Sequence, residues 1–185
     1  AGGLAENKAL VIDTTNPVST INSINSKTAT GNYTNNASLA VNYSASDSNI
    51  KNWTLTFYNS TWGYIVHTTG NTTQSNIVYT AAAVSANGTY FVNLTTLDNA
   101  SNSNITSWNI TVDTVNPTVS VACDDTSVTV GDTVTCTCTA SDALSGLASQ
   151  TFTTETPSTS TAGTFTSTAC TATDNAGNSA SDSGV

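Results

Sequence analysis

The ionisable and thiol side chains of this 185-residue chain are few: four cysteines, one histidine, three lysines, no arginine and twelve carboxylates. All four cysteines, Cys123, Cys136, Cys138 and Cys170, lie after residue 120. Four thiolates can make a tetrahedral zinc site, but Cys-x-Cys on a strand is poor ligand spacing beside Cys-x₂-Cys. An even count suits two disulfides in an oxidising compartment, with three possible connectivities. Cys138 and Cys170 each stand four residues before an aspartate, Asp142 and Asp174, which places both near facing strand ends. This favours Cys138–Cys170 between sheets and leaves Cys123–Cys136 across a hairpin. Cys136–Cys170 with Cys123–Cys138 remains open. Asp47, Asp98, Asp142 and Asp174 are loop acids of the type that bind calcium in some surface modules, but they lack EF-hand spacing. Capping of turn amides is the expected role for such Asp and Asn residues. His67 reads as an exposed strand-end residue beside a Gly-rich turn. Lys8, Lys27 and Lys51 have no identifiable buried acid nearby with which to form an isopeptide bond to Asn. No nucleophile elbow or triad is present. The expectation is a protein without catalytic residues, metal centre or cofactor, with calcium the one ion worth weighing.

A second chemistry is denser. Eleven Asn-x-Ser/Thr acceptors occur before residue 113 and none after it: Asn32, Asn36, Asn42, Asn52, Asn59, Asn71, Asn87, Asn93, Asn99, Asn104 and Asn109. Proline removes Asn116 from the set. Asn42, Asn52, Asn93 and Asn109 fall on the polar parity of their segments, and Asn59, Asn71, Asn87 and Asn99 fall near turns. N-glycans require solvent-facing Asn, which these positions supply. Such a coat suits an extracellular or cell-surface protein and covers sheet edges that would otherwise aggregate.

The elements that carry these residues are strands. Leu39, Val41 and Tyr43 alternate with polar neighbours, as do Trp53, Leu55 and Phe57, then Tyr90, Val92 and Leu94, then Trp108, Ile110 and Val112. Val119 with Val121, and Val128 with Val130, repeat the pattern further on. Period-2 runs bounded by Gly, Asn, Asp and Ser predict an all-β sandwich. With 8% charged residues and a net charge of −9, the chain lacks the basic clusters that nucleic acid or an anionic membrane surface demands. No apolar run reaches the length that spans a bilayer, so membrane insertion is not expected. The sequence opens without a start Met or signal peptide, which fits a processed, exported chain.

Two signatures recur in order. Ile12-Asp-Thr-Thr-Asn-Pro17 returns 100 residues later as Val112-Asp-Thr-Val-Asn-Pro117, and Leu97-Asp-Asn-Ala-Ser-Asn-Ser103 returns as Thr173-Asp-Asn-Ala-Gly-Asn-Ser179. The Asp-Thr-x-Asn-Pro opener and the Asp-Asn-Ala turn resemble those of prokaryotic immunoglobulin-like repeats of cell-surface proteins. The resemblance implies two tandem immunoglobulin-like β-sandwiches, 13–113 and 114–185, after an N-terminal segment 1–12. Segment Ala9–Ile12 precedes its Asp-Thr as Asn109–Val112 precedes the next, while the chain after Ser179 runs short of a full last strand. The organisation is similar to that of thread-like filaments of thermoacidophilic archaea, whose subunits join by donor-strand complementation. It implies an N-glycosylated filament subunit whose partners are copies of itself, with Leu10 and Ile12 as the anchors of the donated strand. The alternative is a repeat pair from a cell-surface adhesin or surface-layer protein; a spacer in a secreted hydrolase stands third.

Overall fold

In the computed structural model the described residues are 12–183, except 30, 62, 82, 83 and 85 and the side chain of Val66. Every regular element among them is a strand. In chain order they are β1 (Val18–Ile24), β2 (Asn32–Thr34), β3 (Ala40–Ser46), β4 (Ile50–Tyr58), β5 (Tyr64–Gly70), β6 (Gln74–Thr80), β7 (Gly88–Asp98) and β8 (Ser103–Val112), followed by β9 (Thr118–Cys123), β10 (Cys136–Ser141), β11 (Leu147–Gln150), β12 (Thr154–Glu155), β13 (Cys170–Asp174) and β14 (Ser179–Asp182). The fold is all-β, with four sheets packed as two sandwiches.

The first sandwich sets β1-β3-β6 against β2-β8-β7-β4-β5. Alternation decides which side chains face inward. Val41, Tyr43 and Ala45 of β3, Trp53, Leu55 and Phe57 of β4, Tyr90, Val92 and Leu94 of β7, and Ile110 and Val112 of β8 are all buried in one cluster. Each such large apolar side chain stabilises by about 1.5–3 kcal/mol when fully buried. The indole of Trp53 lies over Gly70, its partner in β5, and donates Nε1–H to the Thr72 carbonyl at 3.0 Å. Pairing of β7 with β8 is continuous from Gly88–Val112 to Leu97–Ser103, and β2 adds a short parallel edge along Ile110–Val112.

The second sandwich sets β12-β10-β9 against β11-β13-β14. Its first and last strand pairs match those of the first: Thr118 opposes Ser141 as Val18 opposes Ser46, and Cys123 opposes Cys136 as Ile24 opposes Val41. The core is much thinner. Its buried members are Val121, Val134, Cys136, Cys138 and Cys170. The alternation of Val128 and Val130 predicts a strand, but the structure places both outside any strand, 39% and 56% exposed. In the first sandwich the corresponding short edge strand, β2, rests on the end of β8, and β14 reaches only Asp182. The segment instead closes on itself in a turn, where Asp132 Oδ2 accepts the Thr129 N–H at 2.9 Å and the Thr129 carbonyl accepts the Asp132 N–H at 3.1 Å.

Candidate functional site

The four loop aspartates named from sequence are brought together in two groups, each completed by the Asp of an opener. Asp13, Asp47 and Asp98 each offer a carboxylate oxygen within 4.8 Å of the others, and Asp113, Asp142 and Asp174 do the same. The local geometry explains the Asp-Asn-Ala-x-Asn turn. Asp98 Oδ1 accepts the Asn102 backbone N–H at 2.8 Å, and its Oδ2 accepts Asn102 Nδ2 at 2.8 Å. The same Nδ2 donates to the Asp13 carbonyl at 3.0 Å. In the second copy Asn178 repeats all three bonds, to Asp174 Oδ1 and Oδ2 at 2.8 and 2.7 Å and to the Asp113 carbonyl at 2.8 Å. The turn therefore clasps the opener, and the opener carries its own carboxylate into the turn. Asp13 Oδ1 accepts Thr15 N–H as Asp113 Oδ1 accepts Val115 N–H.

Burial alone would raise the Asp98 carboxyl, but the bonds from the side chain and backbone of Asn102 and the amides of Ala100 and Ser101 outweigh it and hold the pKa below the ordinary value. At Asp142 the amides of Gly146, Leu144 and Ser145 and the Ser145 hydroxyl likewise overcome burial and lower the carboxyl. The Asp98 and Asp142 carboxyls are thus both biased toward the ionised form. Each cluster offers three oxygen donors of the kind that hard cations take, fewer than the roughly six to eight of a full calcium shell. Sequence reasoning expected turn capping here, and the hydrogen bonds supply it. What it missed was Asp13 and Asp113; the recurrence of the Asp-Thr opener beside each turn was the available signal.

Asp113 is also the pin between sandwiches. Its N–H donates to the Thr34 carbonyl of the first at 2.9 Å, and its Oδ2 accepts the Ser145 amide of the second at 3.1 Å. Thr114 adds bonds from its N–H and hydroxyl to Asn87 Oδ1, at 3.1 and 2.9 Å.

Thr106 of β8 bonds to β1 through the Ser19 carbonyl at 2.7 Å, and the residue in its place, Asp182 of β14, accepts the Val121 N–H of β9 at 2.9 Å. Strand β8 then continues to Val112, whereas the residues opposite that continuation in the second copy, 164–169, form no strand. A cavity of about 360 Å³ opens there, lined by Val128, Val130, Val134, Phe165 and the Cys123–Cys136 pair. Phe165 is 48% exposed beside it.

The cysteines are bridged as Cys123–Cys136 and Cys138–Cys170. The first joins opposed residues of β9 and β10, and the second joins the two sheets. None of the eleven glycan acceptors is buried: Asn36, Asn52, Asn71, Asn87, Asn99 and Asn104 are exposed, and Asn32, Asn42, Asn59, Asn93 and Asn109 are half-buried. Asn36, Asn42, Asn59, Asn87 and Asn104 use Oδ1 as a hydrogen-bond acceptor, the arrangement that leaves Nδ2 for a sugar. Asn32 instead donates Nδ2 to the Ala29 carbonyl at 2.6 Å, and the Asn93 Oδ1 is enclosed without a partner. His67 is exposed, as its sequence context suggested, but sits within β5 and not at a strand end, hydrogen-bonded through Nδ1 to the Tyr64 hydroxyl. Of the proposed strand anchors, Leu10 lies outside the described residues, and Ile12 is 79% exposed and in no strand.

Among the described residues no helix is long and apolar enough to cross a membrane. No family model matches the chain, and no curated protein matches it. A solved structure described as a tetra-tandem repeat in the extending region of a large adhesion protein is similar at 19% identity and a TM-score of 0.36, over 90% of this chain and 47% of that one, so the present chain spans about half its length.

Proposed function

We propose that the chain is a structural element of an extracellular fibre, assembled head to tail when the N-terminal strand of one copy completes the second sandwich of the next. The observation that supports this reading is the cavity beside the Cys123–Cys136 pair, where residues 164–169 form no strand, at the place that the end of β8 and β2 fill in the first sandwich. Segment Ala9–Ile12 precedes Asp13 as Asn109–Val112 precedes Asp113, so an incoming copy brings both a strand and an opener. Ladder hydrogen bonds supply affinity, and alternate side chains, Leu10 and Ile12, enter the cavity. A head-to-tail contact of this kind yields an open fibre instead of a closed ring. N-glycans on the first sandwich coat the fibre; glycopeptide mapping of native material should find most of the eleven sites occupied, and fewer than four would remove the coat from the reading. Leu10→Asp with Ile12→Asp should abolish fibres in electron micrographs while the first sandwich stays folded. Normal fibres from that variant would refute the assignment of the strand.

The second reading is a repeat pair within a longer adhesin or surface-layer chain. It is favoured by the joint at Asp113, where one strand leads directly from a completed sandwich into the carboxylate group of the next within a single chain. The intact mass of the native protein separates the two, because an array requires further repeats.

A further inference from the structure

The first sandwich is filled by hydrocarbon where the second is filled by sulfur. Ile24 and Val41 form the last opposed pair of β1 and β3, both buried, and Cys123 and Cys136 hold the matching pair of β9 and β10. Tyr43 opposes Ile21 as Cys138 opposes Val121, and Leu94 stands four residues before its turn aspartate as Cys170 does. Three of the five buried members of the second core are half-cystines, against none among the sixteen of the first. The sandwich with the smaller core is also the one whose residues 164–169 form no strand beside a cavity. The Cys123–Cys136 bridge lines that cavity, where β10 has only the two-residue β12 on its other side. Besides their ladder hydrogen bonds, β9, β10 and β13 are linked covalently through Cys123–Cys136 and Cys138–Cys170.

We infer that oxidation of these pairs, Cys123–Cys136 above all, is the step that makes the second sandwich competent to receive its completing strand. The inference rests on the strand-donation reading above and adds its regulation: the dithiol form is assembly-silent, and assembly is confined to an oxidising compartment. Each bridge forms by thiol–disulfide exchange. The two thiols give up two protons and two electrons, and a disulfide on an oxidising partner takes them up to become two thiols. Burial of Cys136, Cys138 and Cys170 shields the finished bridges from the reverse reaction.

The test uses the full chain carrying Leu10→Asp and Ile12→Asp, which cannot donate its own strand, and a fluorescent peptide of residues 4–16. Binding is followed by anisotropy for this parent and for the same chain with Cys123→Ala and Cys136→Ala, and for the parent after reduction and after reoxidation. The expected result is binding to the oxidised parent, at least tenfold weaker binding to the reduced parent and to the alanine pair, and recovery on reoxidation. Hydrogen exchange in β13 reports whether the unbridged sandwich fails through folding or through groove shape; both accompany the loss of binding. Binding of the alanine pair within twofold of the parent overturns the inference while leaving strand donation intact. An oxidised parent that ignores the peptide removes strand donation, and the inference falls with it.

Discussion

Asn178→Ala removes one side-chain amide from the centre of the joint. Its Nδ2 donates to the Asp113 carbonyl at 2.8 Å and to Asp174 Oδ2 at 2.7 Å, and Asp113 and Asp174 are both buried. One bond is neutral and one is charge-assisted. A neutral bond contributes about 1 kcal/mol and a charged one about 1.5–3, before any cost of leaving a buried acceptor unpaired. Asn178 is half-buried, so water re-solvates part of what is exposed, and about 2 kcal/mol is the expected loss. For a domain of this size that lowers Tm by about 10 °C. The equivalent change at Asn102 removes the matching bonds to Asp13 and Asp98. Tryptophan separates the two variants, because Trp53, Trp62 and Trp108 all precede residue 113 and the second sandwich has none. Asn178→Ala should shift the circular dichroism transition of the second sandwich and leave the tryptophan transition in place; Asn102→Ala should shift the tryptophan transition. A loss below about 0.5 kcal/mol at either site, or an identical shift of both transitions in both variants, would show that the clasp does not hold the opener.

Three further outcomes follow from the same geometry. Because the Asp98 and Asp142 carboxyls are held below their ordinary values, the unfolded chain binds more protons than the folded one at acid pH; their stabilisation is complete above the unfolded carboxylate pKa of about 4 and disappears as pH falls through the depressed folded values, so urea midpoints should decline across that window and decline less in Asp98→Asn. Millimolar calcium should raise both transitions and a chelator reverse the gain, with Asp47→Asn abolishing the effect on the tryptophan transition alone; equal melting with and without calcium would leave the carboxylates as turn caps only. Gly70→Ala places a methyl carbon 2.5 Å from Trp53 Cζ2, so the variant should lose about 1–3 kcal/mol in chemical denaturation, and wild-type stability would mean that the indole moves aside freely.

Much of the scaffold is legible in the sequence because strand parity is a local property. Leu39, Val41 and Tyr43, then Trp53, Leu55 and Phe57, read as inward-facing residues and are buried. The same local logic failed at Val128 and Val130, where the alternation is present but the neighbouring strand that would use it is not. Strand formation there depends on a partner, and no window of residues carries that information. The aspartate groups were half legible. Each turn aspartate announces itself by spacing, but its meeting with an opener aspartate about 60 to 85 residues away in sequence is set by how β1, β7, β9 and β13 meet the ends of their sheets. The placement of His67 within β5 shows a smaller failure, since a glycine three residues further on suggested an earlier strand end.

The two cystines also set how the molecule behaves as a tether. Tension on a chain passes through its shortest covalent path, and in the second sandwich that path crosses Cys138–Cys170, separated by 32 residues. Fully extended, those residues would release about 110 Å of slack, at roughly 3.3–3.6 Å per residue, and none of it can be paid out while the bridge is intact. The 13-residue loop closed by Cys123–Cys136 is withheld in the same way. The first sandwich has no such stop and yields its whole length once its core parts. Under a sustained pull the glycan-acceptor half is therefore the more extensible segment and the cystine half the less extensible one, so elongation should arrive as one long step and one short step per chain.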